Sequence, residues 1–113
     1  QLIEQMNRYI GQKDFRSAHP FAERLVGLLP EFPDARLSLG NILFYQKDWD
    51  GARKELSRAL ELNPRFTEAR LNLAEIHLSR GEVSEAKFHL QAVLKYDSSN
   101  QTAHALLQKA TKN

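Results

Sequence analysis

The chain has 113 residues, enough for one small domain and too few for two. It contains no cysteine, which excludes a disulfide scaffold, Cys-based zinc sites, iron–sulfur clusters and a cysteine nucleophile. Sixteen Lys and Arg against fourteen Asp and Glu leave a formal +2, too small for a nucleic-acid footprint, while 42% hydrophobic residues argue against disorder.

With 5 Gly and 4 Pro, the chain suits long helices joined by short connections. Apolar residues at 3.6-residue spacing predict helices over Leu2–Ile10 and Phe15–Leu29. His19-Pro20 is assigned to the first turn of the second helix, where proline is tolerated. A third helix is expected over Asp34–Gln46, with Ala35, Leu39, Ile42 and Leu43 on one face. Lys47-Asp48 makes a short turn, and Asp48 caps the next helix, Trp49–Leu62. Asn63-Pro64 ends that helix, since proline cannot continue one. Thr67–Arg80 and Val83–Tyr96 repeat the plan around Gly81, which suits a left-handed C-cap. A seventh helix is expected over Gln101–Lys112. No apolar run approaches the roughly 18 to 20 residues of a membrane span.

The chain repeats itself every 34 residues. Ala18, Ala52 and Ala86 superpose, as do Pro30 and Pro64, Leu39 and Leu73, Leu56 and Leu90. Gly40 falls on Ala74, and Phe15, Trp49 and Val83 share a bulky apolar column. Small residues at these columns mark helix crossings, where a missing side chain lets the axes approach to roughly 8 Å.

These residues resemble the tetratricopeptide repeat (TPR) family, whose unit is a helix–turn–helix of about 34 residues. Leu39-Gly40, Ala52, Leu56, Ala59 and Pro64 carry the resemblance, with Leu73-Ala74, Ala86 and Leu90 in the next copy. Gln5 and Met6 replace the Leu-Gly pair in the first copy, and Arg36 and Arg70 stand where the family often has Trp. The resemblance implies an all-α fold, a right-handed α-solenoid of antiparallel helix pairs. Residues 1–113 would form a single domain, with repeats at about 1–32, 33–66 and 67–100 and a capping helix at 101–112. The chain opens on Gln1 and is expected to be a segment of a longer protein. Its localisation is left open between cytoplasm and periplasm.

The resemblance also implies a non-catalytic protein–protein interaction module. A peptide or partner helix would lie in a concave groove lined by the first helix of each pair. Helical spacing places Asn7, Leu37, Asn41, Phe44, Tyr45, Leu71, Asn72, Glu75 and Leu78 on that face, with Ile3, Ile10, Ala105 and Lys109 continuing it. An amide such as Asn7 or Asn41 offers donor and acceptor together to an extended peptide. The competing assignment packs Leu37, Phe44, Leu71 and Leu78 against neighbouring inner helices. Chaperone-binding members share a two-carboxylate clamp of basic and Asn side chains. Asn7 fits one clamp position, but Ile3, Ser38, Glu68 and Asn72 replace the others, and Glu68 would repel a carboxylate. An acidic chaperone C-terminus is therefore not the expected partner.

The alternative function is structural: stacking within a longer array, or self-association through the N-terminal edge formed by Leu2, Met6 and Tyr9. As a family base rate, bacterial cell-envelope assembly and secretion are among its contexts. No enzyme is expected, nor a cofactor, metal, nucleic acid or membrane partner. His19, His77, His89 and His104 have no metal-ligand spacing, and His77 falls on a packing column with Leu43 and Tyr9. Ser84 and Lys87 form an isolated Ser-x-x-Lys without supporting motifs. Arg53, Lys54, Glu55, Arg58 and Glu61 read as a solvated outer face, with Glu55 paired to Arg58. Phe15 and Trp49 read as wedges between repeats.

Overall fold

A computed structural model describes residues 1–112 and contains seven α-helices and no strand among them. The helices are α1 Leu2–Gly11, α2 Phe15–Leu28, α3 Pro33–Tyr45, α4 Trp49–Leu62, α5 Thr67–Ser79, α6 Val83–Tyr96 and α7 Gln101–Thr111. Each was expected from the sequence, with ends that agree to within a residue. The chain divides into two compact units, Gln1–Asn63 and the segment from Pro64 onward. In the first unit α1 packs on α2, α2 on α3 and α3 on α4. In the second unit α5 packs on α6, and α7 packs on both. The short connections within each pair make its helices antiparallel.

The turns follow from local chemistry repeated at the same spacing. The backbone N–H groups of Asp14, Asp48 and Glu82 donate to the carbonyls of Tyr9, Leu43 and His77 at 2.8, 2.9 and 2.8 Å. This closes the Schellman pattern at each helix end. The pattern needs a left-handed residue, supplied by Lys13 (φ 58), Lys47 (φ 65) and Gly81 (φ 75). The side chains of Asp14 and Asp48 then accept from the N–H of Ser17 (3.1 Å) and Gly51 (3.0 Å), capping α2 and α4. Glu82 does not cap α6; its Oε1 lies 2.9 Å from His77 Nδ1. Asn100 caps α7 by accepting from Ala103 N–H at 2.9 Å.

Pro20 departs from expectation. It lies inside α2 and beyond its first turn, while the helix starts at Phe15 as expected, behind the Asp14 cap. Its missing N–H leaves a gap in the helix ladder, which the surrounding packing outweighs.

The cores are built around small residues. Ala18, Ala22, Ile42, Ala52, Leu56 and Ala59 are fully buried in the first unit. A Cβ added to Gly40 would lie 2.8 Å from Leu56 Cγ and Cδ2, so glycine is what lets α3 approach α4. In the second unit Ala74, Ala86, Leu90, Val93 and Ala103 form one buried cluster, with Leu71, Leu78, Leu94, Leu106 and Leu107 packed around it. Truncating a buried leucine of this kind costs about 2–5 kcal/mol. At the N-terminal edge, Met6 is buried and Tyr9 stacks on Phe21 with centroids 5.8 Å apart. Much of the edge expected to lie bare is therefore covered by α2.

A second departure concerns Glu55. It is buried, not on a solvated face, and it does not pair with Arg58. Arg36 Nη1 donates to Glu55 Oε1 at 2.9 Å, while Arg36 Nε donates to the Pro30 carbonyl at 3.3 Å. Arg58 instead reaches Glu31 at 3.2 Å and Glu61 at 3.7 Å. An arginine at a buried helix crossing needs a partner, and a carboxylate facing it from α4 supplies one.

Candidate functional site

In the first unit, α1 and α3 frame a cleft of about 300 Å³. Met6, Leu25 and Ala35 make its buried floor. Ile3, Asn7, Asp34 and Ser38 stand around its mouth, and Phe32 closes one side. Asn7 and Ile3 are exposed, and Ser38 is half-buried. The cleft thus offers an apolar floor, an amide, a hydroxyl and one carboxylate, with no cationic side chain. Of the residues expected in a groove, the cleft gathers Ile3 and Asn7.

The others lie elsewhere. Leu37 is a correction: only 8% exposed, it belongs to the core and not to an open face. The surface of α3 is apolar on several sides, and its face toward Leu37 is covered. Asn41 is half-buried further along α3. Phe44 and Tyr45 join an aromatic cluster at the end of α3. Phe44 meets Trp49 edge-on at 5.4 Å, and Tyr45 stacks on Phe15 at 4.7 Å while staying 60% exposed. In the second unit, Leu71 and Leu78 pack against the buried cluster and are only partly exposed. Asn72 and Glu75 are half-buried on the same helix. Ala105 and Lys109 are exposed on α7.

Sequence reasoning missed Leu25, Phe32 and Asp34 as lining. Phe32 is the N-cap residue of α3 and Leu25 belongs to α2, so a face projection of α3 reaches neither, while Asp34 sits in the first turn of α3.

Several titratable groups have structural partners. His19 lies between Gln46 (2.8 Å) and Glu23 (3.2 Å). Among the described residues no cluster of three or more His, Asp or Glu could hold a metal ion, and no helix is long and apolar enough to cross a membrane.

Helix pairs with alanine or glycine at their crossings, repeated at a fixed interval, define a helical-repeat protein. The chain belongs to the tetratricopeptide repeat family, whose model matches residues 9–61 and 43–110. No curated protein matches the sequence significantly. Among solved structures, the chain resembles the first TPR of Spaghetti (RPAP3) bound to the HSP90 peptide SRMEEVD. That match has TM-score 0.93 and 22% identity, covering 98% of this chain and 88% of that one. The second TPR domain of human RPAP3, in complex with the HSP70 peptide SGPTIEEVD, matches at TM-score 0.92 and 17% identity over 99% and 93%. The Yersinia enterocolitica type III secretion chaperone SycD, in complex with a peptide of the translocator YopD, matches at 0.90 and 17% over 98% and 90%. At these identities the likeness establishes the fold.

Proposed function

We propose that the chain is a non-catalytic protein–protein interaction module that holds a peptide or partner helix in the cleft between α1 and α3. The observation that carries this reading is the cleft itself: an apolar floor beneath exposed Ile3 and Asn7. An apolar side chain of the ligand fills the floor, and the Asn7 amide pairs with the ligand backbone. The peptide complexes of the structural neighbours support the same use of the fold. In the second unit, Asn72, Glu75 and the exposed edges of Leu71 and Leu78 are candidate contacts of their own, as are Asn41, Phe44 and Tyr45 in the first.

The partner of the cleft is not an acidic chaperone C-terminus. The cleft carries Asp34 and no cation, and Ile3 and Ser38 at its mouth bring no positive charge. A charged carboxylate docked there would lose water without gaining a counter-charge.

The test is a nitrogen-15 NMR titration. The peptide SRMEEVD is expected to leave the Ile3, Asn7 and Ser38 amide signals unmoved, and shifts there would overturn the exclusion. A partner found by cross-linking is expected to move those signals and to be lost in Ile3→Glu with Asn7→Ala, at an unchanged melting midpoint. A partner that binds the double variant as well as the wild type would sink the cleft reading.

A further inference from the structure

The second unit carries a pocket that the cleft reading does not use. It measures about 650 Å³ and lies between the start of α5 and the outer side of α6. Arg70, Phe88, Gln91, Lys95 and Tyr96 line it, and no carboxylate does. Phe88 is 65% exposed and Tyr96 is 47% exposed.

Arg70 is the repeat counterpart of Arg36, and its surroundings show what has changed. Both arginines donate to the carbonyl of the proline six residues before them: Arg70 Nε and Nη2 reach the Pro64 carbonyl at 3.1 and 3.0 Å. Both then turn Nη1 toward the second helix of the pair. For Arg36 that partner is the Glu55 carboxylate, which cancels its charge. For Arg70 it is His89, whose Nδ1 lies 3.1 Å away. Burial first, then the Arg70 charge and His77, lower the His89 pKa to about 4. At neutral pH the imidazole is uncharged and accepts the Arg70 hydrogen bond. The guanidinium is thus held in place by three hydrogen bonds while its charge stays uncompensated, and two of its five N–H groups are left over.

The walls have the matching chemistry. The Arg70 guanidinium lies 6.0 Å from the Phe88 ring centroid, and the Arg65 guanidinium sits 4.5 Å from that of Tyr96. Such stacking places a guanidinium beside apolar ring surface. Lys95 adds a further exposed positive charge. In the second repeat the places of Phe88 and Tyr96 are taken by Lys54 and Leu62, so this combination belongs to the third repeat alone.

We propose that this pocket is a second docking site, for an internal acidic peptide segment that sets a carboxylate on Arg70 and Lys95 and an apolar side chain between Phe88 and Tyr96. Charge complementarity selects the acidic ligand, and two aromatic walls select one with an apolar neighbour. The formal +2 of the whole chain gives no field of the size that a nucleic acid partner needs.

The test uses the whole chain and a fluorescein-labelled peptide, EEDLFEE, acetylated and amidated so that it has no terminal carboxylate. Fluorescence anisotropy should show saturable binding that the neutral peptide QQNLFQQ does not share. His89→Glu installs the carboxylate that Arg36 already has, so it should preserve the fold and weaken binding about 10-fold or more. Lys95→Glu and Phe88→Ala, both at exposed positions, should weaken it as well, while Asn7→Ala should not. Equal binding of the acidic and neutral peptides would overturn the proposal. So would unchanged affinity in His89→Glu and Lys95→Glu, or preference for a ten-nucleotide oligothymidylate over EEDLFEE. The cleft reading stands or falls separately, on the Ile3 and Asn7 signals.

Discussion

Lys13 and Lys47 hold a left-handed backbone that costs a side-chain-bearing residue roughly 1–2 kcal/mol, and Gly81 holds the same conformation without that cost. Replacing Lys47 by glycine is therefore expected to stabilise the protein by about 0.5–1 kcal/mol in urea denaturation. Gly81→Ala should destabilise it by about 1 kcal/mol, although a Cβ there meets nothing within 4 Å. The two substitutions test one cause in opposite directions, and a shared sign would refute it. Gly40 is constrained by space instead. Gly40→Ala drives a Cβ into Leu56 and is expected to cost about 1–3 kcal/mol, read as a lower denaturation midpoint. A midpoint equal to wild type would show that α3 and α4 can separate without penalty.

At the scale of the helix, Pro20 interrupts the hydrogen-bond ladder of α2 while the helix continues past it. Pro20→Ala restores the missing donor at an exposed position and should raise stability by about 1–3 kcal/mol in the same assay. No gain would mean that the ring packs to compensate. Between α5 and α6, His89 makes stability depend on pH. Its pKa is lowered from 6.5 to about 4 by burial, by Arg70 and by His77, so the unfolded chain binds the proton more readily. The contribution is complete above about pH 6.5 and is lost as pH falls through about 4. The midpoint of wild type is expected to drop between about pH 6.5 and 5, and His89→Gln should flatten that drop. Parallel pH profiles for the two proteins would contradict the assignment.

These cases show what could be read in advance. Helix ends were legible because caps and turns are local: Asp48, Gly81 and Asn63-Pro64 act on residues three or four positions away. Leu37 was misplaced because α3 buries Ala35, Leu37, Leu39, Gly40, Ile42 and Leu43, and no single face stands out from such a pattern. Glu55 was misplaced because its partner sits on another helix, 19 positions away. Only a comparison of repeats would have found it, since Arg36 with Glu55 and Arg70 with His89 occupy the same two columns. The cleft was half legible: Ile3 and Asn7 follow from helical spacing, whereas Phe32 enters from the connection before α3 and Asp34 from its first turn.

At the scale of the whole molecule, each of the two units is held together by helices packed on their sequence neighbours. Such an array is sensitive to the loss of a terminal helix. Ala103 is fully buried, and Leu106 and Leu107 pack on the cluster around Leu90 and Val93. Ending the chain at Asn100 would expose that cluster to water. The truncated protein is expected to lose more far-ultraviolet helical signal than the 11 residues of α7 contribute. A loss proportional to α7 alone would show that α5 and α6 are stable without it.

Arg36 and Arg70 each bind three pieces of backbone scaffold at once: the connection before a helix, the helix that carries the arginine, and the helix that follows. Under a stretching load, the connection at Pro30 or Pro64 cannot peel away while its guanidinium still grips the carbonyl. Each arginine therefore makes the connection, its own helix and the helix that follows move as one piece, within its own unit of the fold.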